Sequence, residues 1–152
     1  MLAIVRPDAW NFPLFVHIAG AMALVASLVL ALYGIRIART RGDQPAAQFA
    51  FRVLWRFTLP AFIVMRLGGQ WIAAKEKLEN SDATWIGIGF TVSDLGLLLL
   101  IIGLVLTGLM ARRAKAGTSV AGAGQLRAAG IVAGILVTAY LVAIWAMTTK
   151  PG

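Results

Sequence analysis

The stretch WIGIGFTVSDLGLLLLIIGLVLTGLM, residues 85–110, decides the fold. It holds a single charged side chain, Asp94, in an otherwise apolar or small-residue run. At about 1.5 Å of rise per residue, a helix of this length exceeds the roughly 30 Å of hydrocarbon in a bilayer. It has neither the period-two alternation of a strand nor the broad polar face of a surface helix.

Three further stretches share this character, from about Pro13 to Ile35, Val53 to Ala74 and Leu126 to Met147. With Trp85 to Met110 they predict an all-α chain, a four-helix transmembrane bundle forming one membrane domain over residues 1–152. The first stretch reads as a retained helix and not a signal peptide. Its apolar run is longer than an h-region, and Arg6 is followed at once by Asp8, which weakens a basic n-region.

Composition fits a bilayer environment. Of 152 residues, 60% are hydrophobic, and mean hydropathy is +0.84, whereas soluble domains are nearer about 45–50% apolar. There is no cysteine, which excludes disulfides, thiolate catalysis and thiolate-held metal. A single histidine excludes a bis-histidine haem or multi-histidine zinc site within one chain. No cofactor and no metal are expected. The formal charge of +8 is concentrated between the apolar runs, without aromatic interleaving, so it reads as topogenic charge and not as a nucleic-acid surface.

The placement of that charge predicts an orientation. The first loop carries Arg36, Arg39 and Arg41, with Arg52 just before the second span; the third carries Arg112, Arg113 and Lys115, with Arg127 just beyond. The second loop mixes Lys75 and Lys77 with Glu76, Glu79 and Asp82. Basic residues accumulate on the cytoplasmic side, so loops one and three are expected inside and both termini on the non-cytoplasmic side. Trp10, Trp71, Trp85 and Trp145 fall at the outer ends and Trp55 at an inner one, as an interfacial belt requires. In Gly42-Asp43-Gln44-Pro45, Asp43 or Gln44 can cap and Pro45 can open a helix that starts ahead of the second span. Arg52 and Arg56, one turn apart, can snorkel to lipid phosphates, and Pro60 should disturb the span. Loop three, rich in Ala, Gly, Ser and Thr, reads as a flexible link.

Helices in lipid associate through small residues that let backbones approach. The first span carries His17, Gly20, Leu24, Ser27, Ala31 and Gly34 at helical spacing, and the third carries Gly96, Gly103 and Thr107. In the fourth, Gly130 and Gly134 form a GxxxG pattern with Thr138 one turn on, predicting a packing face inside the bundle or between two copies.

Charge within the bilayer is expensive and needs an account. Counted from the outer ends, Arg66 and Asp94 lie at matching depth on consecutive antiparallel spans, so a buried ion pair is expected. Gln70 lies one turn above Arg66, Thr91 one turn before Asp94, and His17 at about the depth of Gln70. Ser93 is adjacent to Asp94, and Tyr140 lies a few turns into the fourth span. His17, Arg66, Gln70, Thr91, Asp94 and Tyr140 are therefore the ligand- or ion-binding candidates, able to converge on a cavity in the outer half. The alternative is structural: the ion pair fixes helix register, His17 is interfacial and Tyr140 packs. No catalytic set can be assembled, so no enzyme activity is expected.

The segment Phe15-Val16-His17-Ile18-Ala19-Gly20-Ala21 resembles the opening of small bacterial predicted integral membrane proteins of unknown function, the domain of unknown function 2269 family. The basic loop and Arg56-Phe57-Thr58-Leu59-Pro60 are similar in kind, and copper-resistance D-type membrane proteins have a related opening. The likeness covers the first two spans, about half of the chain. This chain lacks the size and further histidines of the copper-resistance proteins. The resemblance implies a multi-pass protein of the bacterial cell inner membrane. Two roles stay open: handling of a small ligand, ion or proton through the outer cavity, or service as a structural or accessory subunit of a larger membrane complex. The lipid bilayer is the expected partner, with a homodimer or a larger assembly as further possibilities and no nucleic acid.

Overall fold

A computed structural model describes residues 11–76, 84–117 and 123–149. The chain forms α1 (Asn11–Arg41), α2 (Gln44–Val53), a π-helical turn (Leu54–Thr58), α3 (Leu59–Glu76), α4 (Thr84–Lys115) and α5 (Ala123–Thr149). Because α2, the π turn and α3 are continuous, there are four spans. Each is long and apolar enough to cross a membrane. Helix continues past the apolar runs at most ends. α1 stops where Gly42 takes φ +64°, and α4 is followed by Gly117 at φ +68°, backbone conformations that glycine adopts without steric cost. Asp43 takes the N-cap position of α2 and Pro45 its first turn, but the Asp43 carboxylate makes no capping bond; its carbonyl accepts from the Ala47 amide. Most of the loop-three link and Trp10 lie outside the described residues.

Close contacts set the arrangement. Along α1, Gly20 meets Met65 and Gly34 meets Ala46 and Ala50; along α4, Gly96 meets Tyr140 and Gly103 meets Val132. Rising numbers on one helix meet falling numbers on the next, so neighbours are antiparallel. The four spans close into a square. One end carries all the arginine-rich segments and is called the basic end; the other carries the N-terminus of α1 and the C-terminus of α5 and is called the far end.

The two ends are packed differently. At the basic end the core is alanine-rich (Ala38, Ala46, Ala47, Ala50, Ala129, Ala133) around Ile35, Met110 and Leu126, and small side chains let the backbones approach. Gln125 ties α5 to α4 there, accepting from Arg113 at 3.0 Å and donating to the Leu106 carbonyl at 3.3 Å. Toward the middle, Leu24, Leu28, Leu54, Phe62, Leu100 and Leu136 form a bulkier core. α2 packs against α4, but α3 scarcely touches it, so the second and third spans part at the far end.

The expected disturbance at Pro60 takes the form of the π turn just before it. The Leu59 amide donates to the carbonyl of Leu54, and the Thr58 hydroxyl donates to that of Val53 at 3.3 Å, both five residues back. Proline has no N–H, and its ring presses on the carbonyl four residues earlier; the wider turn takes up that mismatch.

The packing stripes expected on α1 and α4 are in place: Gly20, Leu24, Ser27, Ala31 and Gly34 are buried, as are Gly96, Gly103 and Thr107. The expectation for Gly130 and Gly134 is corrected. A Cβ on Gly130 would touch only Ile35, at 3.7 Å, and one on Gly134 would meet nothing within 4 Å. The seam of α5 is instead Leu126, Ala129, Ala133, Leu136, Tyr140 and Ala143. These residues recur at alternating spacings of three and four, which keeps one side of a helix against its neighbours.

Candidate functional site

Where α3 leaves α4, the four spans enclose a cavity of about 310 Å³ at the far end, within the range of small-molecule sites. α1 contributes His17, α3 Arg66 and Gln70, α4 Phe90 and Ser93, and α5 Tyr140, over an otherwise apolar lining.

His17 is seated by glycines. A Cβ on Gly68 would stand 2.8 Å from the His17 backbone nitrogen, and one on Gly69 would stand 3.0 Å from its ring; reciprocally, a Cβ on Gly20 would stand 2.6 Å from the Met65 nitrogen. α1 and α3 thus meet backbone to backbone, which brings the His17 Nδ1 within 2.8 Å of the Met65 carbonyl. A carbonyl only accepts, so Nδ1 carries the proton. Nε2 of the neutral ring is then an acceptor, and it makes no hydrogen bond to a described residue.

Arg66 and Asp94 meet as their depths predicted, Nη2 to Oδ1 at 2.6 Å. The expectation that the pair is buried is corrected. Arg66 is 26% exposed and Asp94 65% exposed, so the pair bridges the gap between α3 and α4 with the carboxylate on the bundle surface. Arg66 also lies over the Phe90 ring, 5.8 Å from its centroid, one turn before Asp94 on α4. Its charge is cancelled within the site, so the cavity carries no net charge.

Two hydroxyls in the lining have no partner. Ser93 is 7% exposed and Tyr140 5% exposed, and neither Ser93 Oγ nor Tyr140 Oη makes a hydrogen bond to any described residue. The Tyr140 hydroxyl rests against Gly96, the one residue type that leaves room for it. A buried hydroxyl without a partner costs about 1–3 kcal/mol, so it marks a place where a polar group is accommodated.

His17, Arg66, Gln70 and Tyr140 therefore converge on one cavity, and Asp94 closes its side through Arg66. Gln70 lies at the exposed margin. Thr91 does not join them; it is exposed and outside the lining, because it lies two residues from Ser93, on another face of α4. Sequence reasoning missed the seat made by Gly68, Gly69 and Gly96 and the aromatic face of Phe90. The adjacent glycines between Arg66 and Gln70 were the available signal. Among the described residues no group of three or more His, Asp or Glu side chains is placed to hold a metal ion.

The chain matches no protein-family model, no curated protein and no solved structure. Its function is therefore argued from the site alone.

Proposed function

We propose that this small multi-pass membrane protein binds a neutral, lipid-soluble molecule in the far-end cavity, taken from the bilayer through the gap between α3 and α4. The observation that carries the proposal is the pair of buried, unpartnered hydroxyls, Ser93 and Tyr140, lining the same apolar cavity as His17. The hydroxyls can donate to a carbonyl, and His17 Nε2 can accept from a hydroxyl. A charged ligand is disfavoured, because Arg66 is already neutralised by Asp94 and an extra charge there would be uncompensated. The likeness of the α1 opening to small bacterial membrane proteins fits the same proposal and places it in the bacterial inner membrane, with the basic end cytoplasmic.

Trp85 lines the cavity and reports on its contents. In a variant with Trp10, Trp55, Trp71 and Trp145 changed to Phe, a short-chain ubiquinone as probe is expected to quench Trp85 saturably. Tyr140→Phe with Ser93→Ala should weaken that binding by about tenfold, the effect of one or two lost hydrogen bonds. Equal, non-saturating quenching in both proteins would sink the proposal.

One observation favours the second role, that of accessory subunit. The Asp94 carboxylate stands on the bundle surface at bilayer depth, where another protein's polar group can cover it. Copurification of a stoichiometric membrane partner in mild detergent, lost on Asp94→Leu, would support that role.

A further inference from the structure

At the basic end, a groove of about 530 Å³ runs between α1 and α5. Its rim carries Arg36 and Arg39, one turn apart on α1, and Arg127 near the start of α5; Ile35, Gly130 and Ile131 are among its apolar lining. None of the three arginines forms an ion pair with a described residue. Asp43 is the one acidic residue in the segments at this end, against nine arginines and lysines: Arg36, Arg39, Arg41, Arg52, Arg56, Arg112, Arg113, Lys115 and Arg127. The Thr40 hydroxyl is committed to the Arg36 carbonyl at 3.0 Å, so the guanidinium groups are the free donors.

We propose that this groove binds an anionic phospholipid, its phosphate among Arg36, Arg39 and Arg127 and an acyl chain along the glycine side of α5. Three observations point to the same ligand. Unneutralised arginines select an anion, and guanidinium groups match phosphate oxygens in geometry. The charged rim continues directly into apolar floor, which a free phosphate would leave unused but an acyl chain fills. Gly130 and Gly134, which take no part in the seam of α5, leave the space above that floor open: beyond Ile35 at 3.7 Å, nothing stands where their Cβ atoms would be. The GxxxG pattern here makes a slot for lipid in place of a seat for a helix.

The test uses the full chain in mild detergent and counts retained lipid by native mass spectrometry. With phosphatidylglycerol and phosphatidylcholine offered together, retention of a single phosphatidylglycerol is expected, and excess inorganic phosphate should not displace it. Arg36→Gln, Arg39→Gln and Arg127→Gln combined should weaken retention by at least about tenfold. Gly130→Leu, which fills the slot and leaves the charge intact, should weaken it as well. Arg41→Gln, Arg112→Gln and Lys115→Gln combined remove the same charge from outside the groove and should change retention by less than about twofold. Equal losses in the two triple variants, equal retention of phosphatidylcholine, or displacement by inorganic phosphate would each overturn the proposal.

Discussion

His17 of α1 donates its Nδ1–H to the main-chain carbonyl of Met65 on α3, at 2.8 Å. The bond crosses between helices and takes a carbonyl already within a helical ladder. It fixes the tautomer as well as the contact. Nitrogen-detected NMR of histidine-labelled protein should show protonated Nδ1 and unprotonated Nε2 near neutral pH. His17→Leu should lower stability by about 1 kcal/mol in detergent melts, the worth of one such bond. An Nε2-protonated ring would show that the bond is not made.

The α1–α3 contact depends on three absent side chains. Gly20→Ala and Gly68→Ala push a methyl to within 2.6–2.8 Å of the opposing backbone, which cannot yield as a side-chain tip can. Each is expected to cost about 1–3 kcal/mol of stability. Gly134→Ala meets nothing within 4 Å and should be neutral, or stabilising by up to about 1 kcal/mol through helix propensity. Melting curves for the three variants check the order, and a large loss for Gly134→Ala alone would contradict it.

Arg66→Gln or Asp94→Asn leaves one charge without its partner inside the bilayer. A loss of about 2–3 kcal/mol is expected for each. The double variant should recover much of it, giving a coupling of about 1–3 kcal/mol in a double-mutant cycle. Strictly additive losses would mean that the pair has no energetic role despite its 2.6 Å geometry.

Tyr140→Phe is expected to leave stability unchanged or raise it by about 1 kcal/mol, because the hydroxyl removed has no described partner. The same change should weaken ligand binding. A clear drop in melting temperature would show that the hydroxyl already has a structural partner.

The absence of cysteine makes the topology directly measurable. Ser81→Cys should react with an impermeant thiol reagent applied to intact cells, and Ser119→Cys should not. The reverse pattern would invert the orientation.

The fold was legible because four uninterrupted apolar runs dictate spanning helices whatever their neighbours do. The meeting of Arg66 with Asp94 was legible for a similar reason: matched depth follows from rise per residue alone. Azimuth was harder. Ala129 and Ala133 repeat the small-residue spacing of Gly130 and Gly134 one position earlier, so α5 offered two seams about 100° apart, and spacing cannot choose between them. The same ambiguity put Thr91 in the site in place of Ser93. The exposure of Asp94 was hidden as well, because it follows from the parting of α3 from α4, a relation between helices that no single segment encodes.

The five residues from Leu54 to Thr58 act as an angular index between the two halves of their span. Deleting one of them would restore ordinary winding, shorten the span by about 1.5 Å and rotate all that follows by about 100°. Arg66 would swing away from Asp94, and Met65 would leave Gly20, while α2 kept its place beside α4. Length is therefore conserved more strictly here than side-chain identity needs to be: the turn tolerates substitution, but a single-residue deletion in it uncouples the site from the end that anchors it.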